Sequence, residues 1–256
     1  MNFDIKRVAA DFDRAAKAYD QHAALQQNVL AEALEVAEDY FPKKAKILDA
    51  GCGTGQLQRL ASRLAWQITQ VDLAFSMCKT AQKHSPLTVN ADITALPFTD
   101  SSFDGIVSSL VLQWVNDIPL AMQEFARVLK PGGVAVLATF GPSTLHELRA
   151  AFTAIDPLPH VSEFKAMREF FAEAAKAGLQ MLQFSQRLEH LQFPNATGLM
   201  RHLKLLGARH KMVQHRRGVM TPRQLKKLNA FYREHYASGN AITSSWEIGM
   251  MAVKKA

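Results

Sequence analysis

The residues whose types and spacing could do chemistry lie in a glycine-rich turn around position 50. An apolar run ends at Asp49, and Gly51, Gly53 and Gly55 follow before a helical pattern begins at Gln56. Glycine allows a positive φ and lets a ligand approach the main chain, and the amides of a helix N-terminus attract polar or anionic groups. The spacing therefore predicts a strand, a tight turn and a helix N-terminus that together bind a nucleotide-like cofactor.

Two cofactor classes fit a turn of this kind. The dinucleotide fingerprint is Gly-x-Gly-x-x-Gly with an acid about 20 residues further on. This chain instead has Gly-x-Gly-x-Gly, with Asp49 just upstream and Asp72 at the end of the next predicted strand. The arrangement resembles class I S-adenosylmethionine-dependent methyltransferases. That resemblance implies that the turn passes the methionine part of the cofactor and that Asp72, an acceptor-only carboxylate, accepts both ribose hydroxyls. The alternative for Asp72 is an N-cap of the following helix.

Further cofactor contacts are expected along the next two strands. The third strand closes at Asn90-Ala91-Asp92-Ile93. The resemblance places Asp92 beside the adenine, where it would accept from the exocyclic amine while the backbone amide of Ile93 binds a ring nitrogen. The alternative is that Asp92 caps a turn. The fourth strand ends at the crevice where open α/β sheets bind ligands, which makes Ser108 a further candidate. The predicted cofactor-binding set is completed by Leu73 and Met77.

The chain alternates predicted strands and helices, which favours a parallel α/β sheet. The predicted strands cover 46–50, 67–72, 87–90, 103–109, 133–140, 179–191 and 246–253. The predicted helices cover 4–20, 25–40, 56–64, 74–83, 118–129, 143–155, 163–177, 195–207 and 221–236. Pro131, Gly132 and Gly133 predict a sharp stop before the fifth strand.

The fold predicted from this order is α/β, with a Rossmann-like, mostly parallel sheet. Its last two strands would pair antiparallel at one edge, as they do in class I methyltransferases. Residues 1–256 would form a single methyltransferase domain. Within it we expect an N-terminal helical lid at 1–44, a core sheet from 45–191 and 242–256, and an inserted basic helical cap at 192–241.

The composition is that of a globular protein with one domain and an insertion. Of its 256 residues, 48% are hydrophobic and 21% are charged, which is enough to bury a substantial core. No apolar run approaches the ~20 residues that span a bilayer, and residues 1–10 have no apolar signal-peptide core. Cys52 and Cys78 make no disulfide framework, and no Cys/His spacing indicates zinc. We therefore expect a cytoplasmic, metal-free monomer that does not enter a membrane.

The net charge of +7 is concentrated in one stretch. Residues 201–227 contain no Asp or Glu, and three histidines are interleaved with their cationic residues. Such a stretch attracts a polyanion, which could be a nucleic acid, an anionic membrane or an acidic protein. The alternative is a solvated helix face. The cationic residues are Arg201, Lys204, Arg209, Lys211, Arg216, Arg217, Arg223, Lys226 and Lys227.

Several motifs are spread along nearly the whole chain. They are Phe12-x-x-Ala15-Ala16-x-x-Tyr19-Asp20 with Gln26, Leu-Gln-Trp at 112–114, residues 143–148, Asp156 with His160, Val161 and Phe164, residues 199–204 with Gly207 and Ala208, and Thr221, Arg223, Leu225 and Leu228. Together these motifs resemble one family, the malonyl-acyl carrier protein O-methyltransferases of biotin synthesis, and the segments at 143–164 and 199–208 are the most specific. One departure lies near the C-terminus, where the family commonly has Leu-Thr-Tyr and this chain has Ile-Thr-Ser-Ser-Trp at 242–246. This departure leaves the local packing and one substrate contact open.

This resemblance implies methyl transfer from S-adenosylmethionine to the free carboxylate of a malonyl thioester, carried on acyl carrier protein or coenzyme A. No general base is required, because such a carboxyl group titrates near ~4 and is ionised at pH 7. Arg201 is the candidate partner of the desolvated carboxylate, since guanidinium binds carboxylate in bidentate geometry; the alternative is a surface charge. Gln113 would border the methyl-transfer site. Tyr19 would either close over the cofactor from the lid or pack on the sheet.

The basic stretch would then dock the acidic carrier protein through Arg209, Lys211, Arg216 and Arg217. Three other functions remain open. The first is a class I methyltransferase for another small acid such as trans-aconitate, or for a quinone precursor, which would need a general base that the sequence does not show. The second is an RNA methyltransferase, although no aromatic-interleaved RNA-binding module accompanies the basic stretch. The third is a non-catalytic scaffold, against which the intact glycine turn and both acids argue.

Overall fold

A computed structural model describes residues 4–155, 160–208 and 221–256. The strands are β1 (Lys46–Ala50), β2 (Gln67–Asp72), β3 (Thr88–Asn90), β4 (Phe103–Ser109), β5 (Leu129–Phe140), β6 (Leu179–Phe193), β7 (Ala237–Ser238) and β8 (Ala241–Lys255). They form one sheet in the order β3-β2-β1-β4-β5-β8-β6, and the short β7 pairs with β8. The sheet is parallel from β3 to β5. The carboxyl ends of these strands therefore meet at one edge, where open α/β sheets bind ligands.

Helices cover both faces of this sheet, which explains why β1, β4 and β5 each have a run of consecutive buried residues rather than burial at alternate positions. One core cluster combines the sheet with α3, α7, α9 and α10, and a second combines it with α6 and α8. The α-helices are α1 (Ile5–Ala15), α2 (Tyr19–His22), α3 (Ala24–Tyr40), α4 (Gln56–Leu60), α5 (Phe75–Ala81), α6 (Ile118–Val128), α7 (His146–Thr153), α8 (Met167–Lys176), α9 (Ala196–Leu205) and α10 (Pro222–Tyr236).

The predicted antiparallel pair is confirmed, and its arrangement is more specific than the sequence indicated. β8 runs antiparallel between β5 and β6, so the strand of opposite direction lies one place in from the edge and β6 is the edge strand. Pairing with β5 ends where Phe140 meets Ile248, yet β8 begins at Ala241. The first part of β8 therefore projects beyond the carboxyl end of β5 and forms a wall beside the ligand-binding edge.

Two predicted boundaries are wrong. The stop predicted at residues 130–133 is a bulge inside β5, because Leu129 already pairs with Phe103 and pairing then resumes between Val134 and Gly105. The helix predicted over 4–20 is two helices, α1 and α2, separated at residues 16–18. The break turns α2 back over the glycine turn, whereas α1 is tied to α5 by a hydrogen bond from the Ser76 amide to Asp13 Oδ1 at 2.6 Å.

Among the described residues, no helix is both long and apolar enough to cross a membrane. Within the same parts of the chain, no group of three or more His, Cys, Asp or Glu side chains is placed to hold a metal ion.

Candidate functional site

The glycine turn follows β1 with all three glycines at positive φ, at +84° for Gly51, +54° for Gly53 and +81° for Gly55. The three glycines have different surroundings. A Cβ on Gly51 would lie 2.2 Å from Val111 Cγ2, and one on Gly55 would lie 3.0 Å from Ala81 Cα. A Cβ on Gly53 would meet no atom within 4 Å. The outer two glycines thus serve close packing, whereas Gly53 borders open space where a ligand can approach the main chain.

Asp72, at the end of β2, holds the turn in place. Its Oδ2 accepts from the Gly53 amide at 2.9 Å, and its Oδ1 accepts from the Ala74 amide at 2.8 Å. The N-cap interpretation of Asp72 is wrong, because the N-cap of α5 is Ala74 and no side chain caps this helix. Asp72 instead holds the segment that leads into α5 and lines the adjoining cleft, and its contact with the ribose stays a prediction. Burial is the main cause that raises the pKa of Asp72 to about 6, against the opposing effect of the two amides.

A cleft opens at this edge of the sheet. It brings together residues from five separate segments of the chain, as expected of a cofactor site at the carboxyl ends of parallel strands. The predicted cofactor residues that line it are Gly51, Gly53, Asp72, Leu73, Met77, Asp92 and Ile93.

Asp92 forms a turn as well as lining the cleft. Its Oδ1 accepts from the Thr94 amide at 2.9 Å and from Thr94 Oγ1 at 2.8 Å. The turn-capping interpretation is therefore correct for one oxygen of Asp92. Its contact with the adenine stays a prediction, which its place in the cleft lining supports.

Two predicted cofactor residues do not reach the described cavities. Ser108 is fully buried, and its hydroxyl donates to the carbonyl oxygen of Ala50 at 2.8 Å, which ties β4 to β1. Gly55 begins α4 and packs against α5. Ser108 and Gly55 thus contact neighbouring strands and helices rather than a cavity, and a direct contact with the cofactor stays a prediction for each.

Asp49 lines a second recess on the other side of the turn, together with Tyr19, Gln26 and Thr54. Its side chain is buried, and its Oδ2 has no hydrogen-bond partner among the described residues. Burial first, and then the charge of Asp72, raises the pKa of Asp49 to about 8. A buried carboxyl group of this kind would be stabilised by a cationic ligand.

The lid is latched to the glycine turn through Asp20 of α2. Its Oδ1 accepts from Thr54 Oγ1 at 2.6 Å, and its Oδ2 pairs with Arg59 at 2.8 Å. This latch holds the preceding residue, Tyr19, where the cleft, the Asp49 recess and a third cavity meet. Burial, followed by the charges of Asp72 and Asp20, raises the pKa of Tyr19 far above its ordinary value, so its hydroxyl stays protonated.

The third cavity adjoins the cleft and shares Phe12, Tyr19, Leu110 and Trp114 with it. We call it the acceptor cavity. Its other side chains are mainly apolar and come from β5, β8, α9 and the segments next to them. The remaining described lining residues are Gln26, Gln113, Phe140, Leu145, Phe164, Leu203, Leu206, Ala208 and Trp246.

Gln113 reaches this cavity, but its amide is already engaged. Its Nε2 donates to the carbonyl oxygen of Leu110 at 2.6 Å, and its Oε1 accepts from Thr139 Oγ1 at 3.0 Å. Leu110 itself has a φ of +56°. Gln113 thus stabilises a strained turn at the junction of the cleft and the acceptor cavity, and a direct contact with the substrate stays a prediction.

Comparison with known proteins agrees with this geometry. A family profile described as a methyltransferase domain matches residues 48–137. A malonyl-acyl carrier protein O-methyltransferase of Xylella fastidiosa is 36% identical, over 96% of this chain and 86% of that protein. One of Methylococcus capsulatus is 32% identical, over 97% of this chain and 93% of that protein.

The chain belongs to the malonyl-acyl carrier protein O-methyltransferase family. It is accordingly an enzyme that uses S-adenosylmethionine as the methyl donor. It is also 36% identical to a biotin biosynthesis bifunctional protein BioHC of Cellvibrio japonicus, of whose length it spans 50%.

Solved structures confirm the class I methyltransferase fold of this family member. The YcgJ protein of Bacillus subtilis superposes with a TM-score of 0.63 at 18% identity, covering 89% of this chain and 98% of that one. Geranyl diphosphate C-methyltransferase of Streptomyces coelicolor, solved with S-adenosyl-L-homocysteine, superposes with a TM-score of 0.53 at 15% identity, over 88% of this chain and 79% of that one.

The structure does not bring Arg201 of this methyltransferase to the acceptor cavity. Its side chain is exposed on α9, whose buried face carries Leu199 and Leu203. Among the residues that the structure describes, Arg201 lines none of the three cavities. The predicted pairing of Arg201 with the substrate carboxylate stays a prediction, and it would require the side chain to turn inward.

The predicted carrier-docking residues Arg209, Lys211, Arg216 and Arg217 lie outside the described residues, as does Asp156. Other cations of the basic stretch are described. Arg201 and Lys204 on α9, with Arg223, Lys226 and Lys227 on α10, are exposed on two helices that contact each other. We call these five residues the basic face.

Two residues of the acceptor cavity that carry polar atoms, Gln26 and Trp246, are not among the predicted site residues. Each carries a buried polar atom, Oε1 and Nε1 respectively, that has no partner among the described residues. In the sequence, both stand only within or beside segments compared with the family. Neither has apolar neighbours on both sides to single it out, and only the tertiary structure places the two residues beside a cavity.

Proposed function

We propose that this methyltransferase transfers a methyl group to the free carboxylate of a malonyl thioester carried by acyl carrier protein. The observation that carries the proposal is the chemistry of the acceptor cavity. None of its described lining residues is Asp, Glu, His, Lys or Arg, and the hydroxyl of Tyr19 stays protonated. Because the described residues of the cavity supply no general base, the acceptor that suits them is one already nucleophilic near pH 7, as a carboxylate is.

The residues of the cleft fit S-adenosylmethionine, which supplies an electrophilic methyl group on a sulfonium when bound. Asp49 has an unpaired buried oxygen for the α-ammonium, and the open side of Gly53 admits the methionine part. Asp72 retains a lone pair on each oxygen for the ribose hydroxyls, and Asp92 lies where the adenine is expected. We infer that Leu73, Met77 and the Ile93 amide complete the contacts.

The chain's own contribution to the reaction is orientation in a dry site. The latch from Asp20 to Thr54 and Arg59 holds Tyr19 over the junction of the cleft and the acceptor cavity. Phe12 and Trp114, whose rings pack edge to face at 5.4 Å, cover the same junction from the lid side and the sheet side. Holding two reactants in line in this way can be worth ~7–11 kcal/mol, and the exclusion of water leaves the carboxylate oxygen poorly solvated and reactive.

We propose that the basic face receives the carrier protein. Lys226 and Lys227 are exposed on α10, and α10 contacts α9, which carries Leu203 of the acceptor-cavity lining. A carrier protein held there would be near the cavity into which its thioester arm must reach. Its acidic surface would be attracted by five cations, which predicts association that weakens with salt.

The test is methyl transfer from labelled S-adenosylmethionine to malonyl-acyl carrier protein, beside malonyl-coenzyme A, free malonate, trans-aconitate and total RNA. Base-labile label on the malonyl thioester, lost in Asp72→Ala, is the expected result. Label on trans-aconitate or RNA alone would leave the fold unchanged and reject the substrate. Cofactor binding by calorimetry without transfer to any acceptor in the panel would instead favour a non-catalytic scaffold.

Docking is tested separately with the double variant Lys226→Glu/Lys227→Glu. Its matched control is Lys43→Glu/Lys44→Glu, two adjacent exposed lysines just before β1, at the opposite edge of the sheet. At low salt, we expect the KM for malonyl-acyl carrier protein to rise about tenfold in the first variant only. The KM for malonyl-N-acetylcysteamine, which has no acidic protein attached, should not change. Equal effects of both variants would reject docking on the basic face.

A further inference from the structure

One residue of the acceptor-cavity lining carries a buried hydrogen-bond donor that the described residues do not satisfy. Trp246 is 3% exposed and lines the cavity, and its Nε1 has no partner among the described residues. Leaving a buried donor unpaired costs about 1–3 kcal/mol. The indole of Trp66, by contrast, donates to the carbonyl oxygen of Pro42 at 3.0 Å. The free N–H of Trp246 therefore points to a ligand group that pairs with it.

The indole is held rigidly in this position. On one side of Trp246, the carbonyl oxygen of Ser245 accepts from the Leu145 amide at 2.8 Å, and on the other the carbonyl oxygen of Glu247 accepts from the Gly141 amide at 2.9 Å. The Trp246 ring packs on Phe140 with 5.3 Å between ring centroids. Both the backbone and the ring of Trp246 are thus fixed before a substrate binds, as a group that sets specificity requires.

The place of Trp246 in the cavity indicates which substrate atom it meets. Four residues, Phe12, Tyr19, Leu110 and Trp114, line both the acceptor cavity and the cofactor cleft, so the reacting carboxylate must lie beside them. Trp246 lines the acceptor cavity alone. It therefore faces a part of the acceptor that is set back from the methyl group. In a malonyl thioester, the polar atom in that position is the thioester carbonyl oxygen, one methylene away from the carboxylate.

We propose that the indole N–H of Trp246 donates a hydrogen bond to the thioester carbonyl oxygen of the acceptor and so selects acids with a carbonyl at this spacing. The inference rests on the proposed function. A neutral donor suits a neutral carbonyl and draws no electron density from the attacking carboxylate. Because the carbonyl does not change in the methyl transfer, the hydrogen bond is equally strong in the ground state and the transition state, and its loss should appear in KM.

The experiment compares wild-type protein with Trp246→Phe, which keeps an aromatic ring and removes the N–H. For malonyl-acyl carrier protein, we expect KM to rise about tenfold, which corresponds to about 1.4 kcal/mol, with kcat within about twofold. Cofactor affinity by calorimetry should not change. Trp66→Phe, which removes an indole hydrogen bond far from the cavity, is the matched control and should leave KM unchanged.

A second acceptor distinguishes this hydrogen bond from general packing. It is the carrier protein bearing a 2-carboxyethyl thioether, in which a methylene replaces the carbonyl and the carboxylate is kept. Wild-type protein should have an about tenfold higher KM for it than for the malonyl thioester, and Trp246→Phe should have nearly equal KM values for the two. This comparison in the wild-type protein alone tests the proposal even where the variant does not fold.

Failure of the proposed function and failure of the Trp246 hydrogen bond give different experimental results. No methyl transfer by wild-type protein to malonyl-acyl carrier protein rejects the proposed function. Transfer with the same KM in Trp246→Phe, or an equal loss for both acceptors, rejects only the hydrogen bond from Trp246.

Discussion

Cofactor binding should be coupled to ionisation of Asp49. Burial raises the pKa of this carboxyl group to about 8, and one of its oxygens has no partner among the described residues. The free protein at neutral pH therefore holds Asp49 mostly protonated. The α-ammonium of S-adenosylmethionine in the adjoining recess would stabilise the carboxylate, so the bound protein holds it ionised. Binding near neutral pH must then release a proton.

The size of the pH effect on cofactor affinity follows from the pKa of about 8 for Asp49. About one-hundredth of Asp49 is ionised at pH 6 and about one-tenth at pH 7, so the affinity for S-adenosylmethionine should rise about tenfold over this unit, or about 1.4 kcal/mol. The α-amino group of the cofactor titrates near ~7.8 and stays mostly protonated in this range. At pH 7, about 0.9 proton should be released per cofactor bound.

Isothermal titration calorimetry in buffers of different ionisation enthalpy measures both quantities. Asp49→Asn should remove the proton release and nearly all of the pH dependence. A second control is 5′-methylthioadenosine, which lacks the amino-acid part and cannot reach Asp49. Its affinity should change only about twofold between pH 6 and pH 7, through Asp72 with its pKa of about 6. The same cofactor affinity at both pH values, with no proton released, would refute the ionic pairing of Asp49.

Three further predictions concern the turn and the lid. Gly53→Ala should fold with a loss of about 1 kcal/mol from its left-handed φ, and calorimetry should show a loss of cofactor affinity, because the new Cβ enters the open side of the turn. Gly51→Ala should lower the melting temperature much more, because its Cβ overlaps Val111. Equal melting temperatures for the two variants would contradict the different roles of these glycines. Asp20→Ala should weaken cofactor binding about fivefold, since the latch is partly exposed and worth about 1 kcal/mol. The same variant should speed proteolysis of the lid. An unchanged cofactor affinity and cleavage rate would show that the latch does not hold the lid. Because the folded pKa of Asp49 is raised, this group binds a proton more tightly in the folded cofactor-free protein than in the unfolded chain. Its contribution to stability is therefore fully present below the unfolded pKa near ~4 and is lost as the pH rises to about 8. Chemical denaturation between these pH values should show this loss in the wild-type protein and not in Asp49→Asn, and identical pH profiles would exclude the contribution.

The spacing of residue types along a short stretch of sequence predicted several residues of the cleft that is expected to bind the cofactor. An apolar run that ends in Asp49, three glycines at alternate positions and a second acid at the next strand end describe a strand, a turn and a helix start. These are short-range features, because backbone φ at glycine and the alternation of strand and helix depend on neighbouring residues. Gly53 and Asp72 accordingly lie in the cleft as expected.

The acceptor half was decided by the tertiary structure. Tyr19, Gln113 and Trp246 are far apart in sequence, and they meet only because α2 folds back over the turn and β8 inserts antiparallel between β5 and β6. Periodicity shows which face of an element is buried but not which distant element covers it. It could not show that Arg201 would be exposed on α9, or that the amide of Gln113 would be engaged by a strained turn.

The sequence by itself indicated the class of cofactor, through the resemblance of the glycine turn and the acid at the next strand end to class I methyltransferases. The tertiary structure decided the electrostatics and the specificity. The pKa of Asp49 is raised by burial under segments that come from elsewhere in the chain. The Trp246 N–H, which has no partner among the described residues, can pair with a ligand only because folding places this residue beside a cavity. Desolvation and cavity shape are sums over residues brought together by folding, so no single stretch of sequence contains them.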